Sequence, residues 1–432
     1  MSDTHAQTVG FVRETMLPPE QPPVTQLGAV RWMRENLFSG WLNSLLTIAS
    51  LYVVFWLALH IGPWFLNSVW NAGSLAECRQ ILEGQTGACF AVIVDRWQQL
   101  LYGFYPAHLY WRPNLALVLM FVAFAPLLFP SVPRRLFWFS ATYPALAYWL
   151  LWGGTVWFPI SVLLGFAAGY LAWRATRNLN AIVAAIAAVL VPVLWWAVVS
   201  APLAGLLQSL VPASLQPVRS DRFGGFMLSI IIGVTGISLS LPLGIILALG
   251  RKSDMFLVKT LCVGFIEFIR GVPLITLLFT ASLLLNYFLP PGTSFDIILR
   301  VIIMVTLFAA AYMAEVIRGG LAALPRGQYE AADSLGLDYW KAQRLIIMPQ
   351  ALKIAIPGIV NTFIGLFKDT TLVVFIGLLD PLGLTNAIRA DTNWNGIYWE
   401  LFLFVGLLFF IFCFGMSRYS QHLERRLKTD HR

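Results

Sequence analysis

The chain has 432 residues, of which 58% are hydrophobic and only 12% charged, and its mean hydropathy is +0.73. A soluble domain carries roughly 25% charged residues, so the composition excludes a water-soluble globule and indicates a polytopic, all-α membrane protein. The formal net charge of +8 does not point to nucleic acid, because the basic residues sit in short loops between apolar runs, where they set topology.

Residues 1–39 are polar and contain Pro18, Pro19, Pro22 and Pro23, which predicts a partly disordered cytoplasmic arm. No cleavable signal peptide is expected, because the apolar run from Gly40 is too long and too aromatic for a signal core. Apolar runs of about 20 residues cross a hydrocarbon layer about 30 Å thick. Ten are predicted, at 40–62, 115–130, 136–152, 156–173 and 180–200, then 224–250, 257–288, 297–317, 355–378 and 398–417. With both termini in the cytoplasm, the inner segments hold about 20 Lys and Arg and the outer loops about 6, the asymmetry of the positive-inside rule.

This arrangement puts residues 63–114 outside, with Cys78 and Cys89. In an oxidising compartment that pair can close a disulfide worth about 3 kcal/mol, a staple rather than redox chemistry. Cys262 and Cys413 fall within spans and read as small buried apolar residues.

The most polar stretch between two spans is ALPRGQYEAADSLGLDYWKAQRLIIMP, Ala323 to Pro349. Pro325 can start a helix, because its missing N–H would be unpaired there anyway, and Gln328 to Leu335 then reads as a short helix of about two turns. Glu330 suits the first turn, where a carboxylate meets the positive end of the helix dipole. Gly336 suits the left-handed residue that ends such a helix. Asp338 can cap a second surface helix through about Ile347, which Pro349 would end or kink. Ala331 and Ala332 leave a small-residue face able to enter a groove on a partner. The same pattern would also serve an ordinary interfacial amphipathic helix.

The spacing Glu330-Ala331-Ala332, Gly336, Ile346, Met348-Pro349 resembles the EAA loop of ABC importer permeases, with Met348 where Leu is usual. The flanking segments EFIRGVPLITLLF from Glu267, AAYMAEVIRGGLAALPRGQYEAA from Ala310 and NTFIGLFKDTTL from Asn361 resemble the polar amino-acid permease family, in the right order. The resemblance implies a type I ABC importer core of five helices at 223–418, with its coupling loop at 318–353. About five extra transmembrane helices at 40–222 precede the core, with the external loop 63–114 among them, and a cytoplasmic tail 419–432 follows it. The long N-terminal half is similar to the larger permease subunits of general L-amino-acid importers. Glu330, Ala331, Ala332, Gly336, Ile346 and Pro349 would then dock a separate ATPase dimer that carries ATP and Mg. A second permease subunit, a periplasmic amino-acid-binding protein and the lipid of a bacterial inner membrane would complete the assembly.

Charges within spans are costly and face partners, water or substrate. Glu267 with Arg270, and Glu315 with Arg318, stand three residues apart and are expected to form ion pairs. Arg300 starts a span and is expected to snorkel outward. Lys368, Asp369, Thr370 and Thr371 offer both signs and hydroxyls at one depth, as an amino-acid path would need. No phosphate-binding G-x-x-x-x-G-K-[ST] loop occurs, and the five histidines show no metal spacing, so neither ATP hydrolysis, a metal site nor another enzymatic function is expected on this chain. A secondary transporter or channel would work without partner chains and often shows a sequence repeat, which this chain lacks.

Overall fold

The computed structural model of the chain describes residues 28–284, 287 and 295–427. Most of the predicted N-terminal arm, the end of the predicted span 257–288 and the last residues of the tail lie outside the described residues. Two compact units are present, one formed by residues up to Val69 with Arg79–Cys89, the other by Trp70–Cys78 with the chain from Phe90 onward. Among the described residues, eight helices are long and apolar enough to cross a membrane, or nine if one bent pair counts as a single span.

In the first unit, α1 (Gly28–Asn36) leads into α2 (Trp41–Leu66). At 1.5 Å per residue the 26 residues of α2 reach about 39 Å, more than a hydrocarbon core requires. Thr47 Oγ1 donates to the Leu37 carbonyl at 2.7 Å and fixes the entry into α2. The returning strand of chain is tied to the end of α2 by Ala88 N–H to Trp64 O and by Val69 N–H to Ala88 O, each 2.8 Å. Cys78 and Cys89 are buried and neither is a free thiol; the free cysteines are Cys262 and Cys413, both half-buried.

The second unit begins with short helices, α3 (Leu75–Ile81), which straddles the boundary between the units, and α4 (Ala91–Tyr102). Next come α5 (Trp111–Leu128), α6 (Phe137–Trp152), α7 (Trp157–Thr176), α8 (Ala181–Leu194) and α9 (Ser200–Leu210). With 16 residues, α6 reaches only about 24 Å and is too short to count among the eight. A π-turn at Trp195–Val199 joins α8 to α9, so this span runs to Leu210, ten residues beyond the expected end. The indole N–H groups of Trp195 and Trp196 donate to the Ser161 and Val162 carbonyls of α7 at 2.9 and 3.0 Å, which satisfies both polar tips. A two-residue antiparallel pairing, β1 (Gly154–Thr155) with β2 (Ser214–Leu215), closes that end of the bundle.

The second half contains α10 (Gly225–Arg251), α11 (Phe256–Gly271), α12 (Leu274–Phe279) and α13 (Ile297–Ala322). After these come α14 (Arg326–Ser334), α15 (Tyr339–Ala342), α16 (Met348–Asp369), α17 (Pro381–Arg389) and α18 (Trp399–Leu427). The span expected at 257–288 is broken, with a bend of 103° between Phe256–Gly271 and Leu274–Ser282. Pro273 supplies no N–H and forces Val272 out of the helical region, to φ −107° and ψ 132°. Arg300 does not snorkel free, because its Nη1 donates to the Ser282 carbonyl at 2.7 Å, beside that break. Helices α10 and α13 form the centre of one core, in which Leu228, Ile232, Ile298 and Val305 pack with Tyr105, Ala116 and Leu150 from the first half.

The segment predicted as an external loop at 63–114 is therefore built structure, and the span that follows it starts at Ala107. Helix α4 is clamped to the chain around α17. Arg96 pairs with Asp391 at 3.1 Å, and the Trp394 indole N–H donates to Asp95 at 2.9 Å. Leu75 N–H reaches the Asn393 carbonyl at 2.8 Å. Trp394 is fully buried. Asp380 caps α17 by accepting from Leu382 N–H and Gly383 N–H, and burial pushes its carboxyl up from 3.8 to about 6.

Two measurements follow from this clamp. Trp394→Ala empties a filled site and is expected to cost about 3–5 kcal/mol, read as a lower melting temperature of the purified protein. Arg96→Gln, in a half-exposed pair, should cost roughly 0–1 kcal/mol. Because the folded-state value of Asp380 lies above its ordinary one, its contribution is fully present below about pH 4 and is lost as pH rises through about 6. Asp380→Asn should flatten that part of the melting-temperature profile.

Candidate functional site

The polar loop folds from its own signals. Pro325 stands as the cap residue before α14, and Gly336 adopts φ +66° after it. Gly336 N–H bonds to Asp333 O at 2.9 Å and Leu337 N–H to Ala332 O at 3.2 Å, so the carbonyls at the end of α14 are satisfied by a left-handed turn. Asp338 caps α15 by accepting from Lys341 N–H at 3.0 Å. The Lys341 ammonium, 2.8 Å away, bonds to the same carboxyl and holds it below the usual carboxylate range.

The second surface helix does not end at Ile347. It passes through a π-turn at Gln343–Ile347 straight into α16, and the apolar helix runs from Tyr339 to Ile376. Pro349 neither stops nor separates it. Met348 N–H already reaches back five residues to Gln343 O, so the ladder has shifted register just where Pro349 lacks a donor. The coupling segment outside long helices is thus shorter than the expected 318–353, because α13 continues to Ala322.

The loop has two faces. Ala332 and Ile347 are buried, and Ile346 packs with Tyr329 against Leu321, Leu324 and Ala351. Tyr329 also receives the Lys252 ammonium, 2.8 Å from its hydroxyl and 4.1 Å from its ring centroid. Gln350 Nε2 donates to Gln328 Oε1 at 2.8 Å and ties the start of α16 to α14. On the other face Glu330, Ala331, Gly336 and Pro349 are exposed. Leu335 and Trp340 stand beside them at 71% and 70% exposure, an apolar surface on an otherwise polar loop that is suited to a protein partner.

Above this loop the charges form one network rather than two local pairs. Glu267 does not bond to Arg270, three residues away; its partner is Arg251 of α10, at 2.7 Å. Glu315 is the hub, 2.9 Å from Arg251, 3.7 Å from Arg270 and 3.0 Å from Arg318. The expected Glu315–Arg318 pair is therefore present, but as one spoke of a junction between α10, α11 and α13. Sequence spacing identified residues able to meet on one helix face and missed Arg251, which reads in sequence only as a topology marker.

Lys368 to Thr371 lie at the far end of α16. Lys368 is exposed, Asp369 half-buried and Thr370 fully buried. The hydroxyls of Thr370 and Thr371 donate to the Phe367 and Lys368 carbonyls at 2.8 and 2.9 Å, closing the helix end. Among the described residues no cluster of His, Cys, Asp and Glu could hold a metal ion.

The family of binding-protein-dependent transport system inner membrane components matches residues 240–429, from within α10 to the end of α18 and beyond. The glutamate/glutamine/aspartate/asparagine transport system permease protein BztC of Rhodobacter capsulatus is 61% identical over 439 residues, covering 100% of each chain. This chain belongs to the amino-acid ABC importer permeases. The inner membrane amino-acid ABC transporter permease protein YhdY of Escherichia coli is 40% identical over 416 residues, covering 95% of this permease and 96% of that protein. A solved amino acid ABC transporter with histidines is similar at 28% identity and a TM-score of 0.42, over 46% of this chain and 91% of that one.

The turn at Gly336 offers a test of how the permease's loop is shaped. A Cβ there would meet nothing within 4 Å, so any cost of substitution comes from the left-handed backbone alone. Gly336→Val should cost about 1–2 kcal/mol locally and lower uptake in vesicles, while Gly336→Asn, which tolerates this conformation, should stay close to wild type.

Proposed function

We propose that the permease carries acidic amino acids and their amides inward across a bacterial inner membrane, driven by ATP hydrolysed on a separate ATPase dimer. The observation that carries the reading is the divided EAA loop. Its buried face is fixed to the core helices, while Glu330, Ala331, Leu335 and Trp340 are presented outward. ATP and Mg would reside on the ATPase, and closure of its dimer would move the loop. A ligand-driven switch of this kind requires contacts that differ between the two states, and a docked loop provides them.

A second permease chain and a periplasmic amino-acid-binding protein complete the proposed assembly. Both termini face the cytoplasm, in keeping with the charge asymmetry of the loops. The substrate class is suggested by the relative named for glutamate, glutamine, aspartate and asparagine transport. Lys368 and Asp369 are the proposed path residues. An exposed ammonium suits a substrate carboxylate, and the neighbouring carboxyl suits the substrate ammonium. Cys78 and Cys89 are proposed to staple the external region to itself.

Glu330→Lys should leave the complex assembled while lowering ATP-driven uptake; undiminished uptake would remove the coupling role. Lys368→Met and Asp369→Asn should each lower uptake with ATP hydrolysis retained, and normal transport by both would remove the path assignment. Cys78 and Cys89 should resist alkylation until a reductant is added.

A further inference from the structure

A cavity of about 840 Å³ lies between α5 and α6 on one side and α10 and α13 on the other. It is not part of the EAA loop or of the Lys368 region. Along α5 its lining runs from Pro113 to Leu127, and along α10 from Phe226 to Leu239. The thirteen steps along α10, at 1.5 Å per residue, give a slot about 20 Å long, parallel to the spans. That exceeds half of a hydrocarbon core about 30 Å thick, the depth of one leaflet.

The walls are apolar, and most of the polar groups on them are already engaged. Ser140 Oγ donates to the Ala123 carbonyl at 2.6 Å, and the Tyr143 hydroxyl to the Ala116 carbonyl at 2.8 Å. At the end near Asn114, the Tyr102 hydroxyl donates to Asn114 Oδ1 at 2.7 Å. Asp296 there accepts from the Ser220 hydroxyl and from Ile298 N–H, and Ser220 in turn accepts from the Trp152 indole at 2.8 Å. A zwitterionic amino acid would bring two charges into these walls with no free counter-charge beyond Asp296. Flanking Ser220 at that same end, Arg219 and Arg222 are exposed, with Arg219 paired to the exposed Asp221 at 3.1 Å.

We propose that this slot binds a membrane phospholipid, its acyl chain lying along α5 and α10 and its phosphate at the end marked by Arg219 and Arg222. Hydrocarbon would lie along the leaflet depth, and a zwitterionic headgroup would meet both signs at its own end, the guanidinium groups of Arg219 and Arg222 and the carboxyl groups of Asp221 and Asp296. The lipid would fill the seam between the N-terminal helices and the transport core.

The test uses the full-length permease, purified in mild detergent and then placed in phosphatidylethanolamine–phosphatidylglycerol nanodiscs with trace phosphatidylcholine spin-labelled near its acyl terminus. Mass spectrometry after delipidating washes should find phospholipid retained in stoichiometric amount, and the spin label should show a strongly immobilised component. Ala123→Trp and Ala147→Trp fill the slot from two different helices, α5 and α6, and in either variant that remains monodisperse both signals should be lost. Arg219→Gln with Arg222→Gln should weaken retention without removing the slot. Absence of retained phospholipid in the wild type would overturn the proposal. So would an immobilised component equal in wild type and both Trp variants, or its displacement by free glutamine. Because no readout involves ATP or uptake, failure here is separate from failure of the coupling assignment.

Discussion

The working end of this permease depends on one carboxylate. Glu315 is only 15% exposed at its side chain and lies within 4 Å of Arg251, Arg270 and Arg318. A poorly hydrated carboxylate is tolerable only when paired, and here the partners come from α10 and α11 as well as from α13, its own helix. The hub therefore gathers three helix ends at the level from which the coupling loop departs. Just beyond it, the close approach of α13 to α16 needs a residue without a side chain, because a Cβ at Gly320 would collide with the Ala351 carbonyl. Lys252, next to Arg251, then reaches Tyr329 of the loop itself. Charge, close packing and a single hydrogen bond thus fix the buried face of the EAA loop relative to the core.

The outward face is connected to the membrane interior by a continuous rod. The helix from Tyr339 to Ile376 carries Trp340 at the loop surface and Lys368 near its other end. At 1.5 Å per residue these positions are about 40 Å apart. A helix that stopped at Ile347 would let the loop move independently of the span. The π-turn and Pro349 keep the rod unbroken while giving it a place to bend. Motion imposed at the surface would therefore be delivered to the residues proposed to line the path.

Much of this was legible in sequence because the signals are local. The left-handed glycine at 336, the cap at Asp338 and the small buried Ala332 each follow from the chemistry of a single residue in its helix position. Hydrophobic runs likewise located the spans. What sequence did not reveal depends on partners far apart in the chain. Arg251 replaces Arg270 as the partner of Glu267 because α10 ends beside α11, which no i,i+3 rule can foresee. The clamp of Asp95 and Arg96 onto Trp394 and Asp391 joins residues nearly 300 positions apart, so residues 63–114 read only as a polar external loop. Pro273 marks a place where a helix can kink, but a residue type alone does not give a bend of 103°. The fold at 90–110 also shows that part of the N-terminal region is integral to the core rather than appended to it, since Tyr105 and Leu109 share a cluster with Leu228 and Ile298.

The central claim is that the exposed face of the EAA loop is a docking surface for a separate ATPase chain. The most direct measurement is photo-crosslinking in the assembled, ATP-hydrolysing complex, with a benzophenone maleimide placed at Ala331→Cys or Ala332→Cys in a background lacking Cys262 and Cys413. The account predicts a crosslink to the ATPase chain from position 331, which is exposed, and little or none from position 332, which is buried against this permease. Equal crosslinking from both positions, or none from 331 in an active complex, would contradict it.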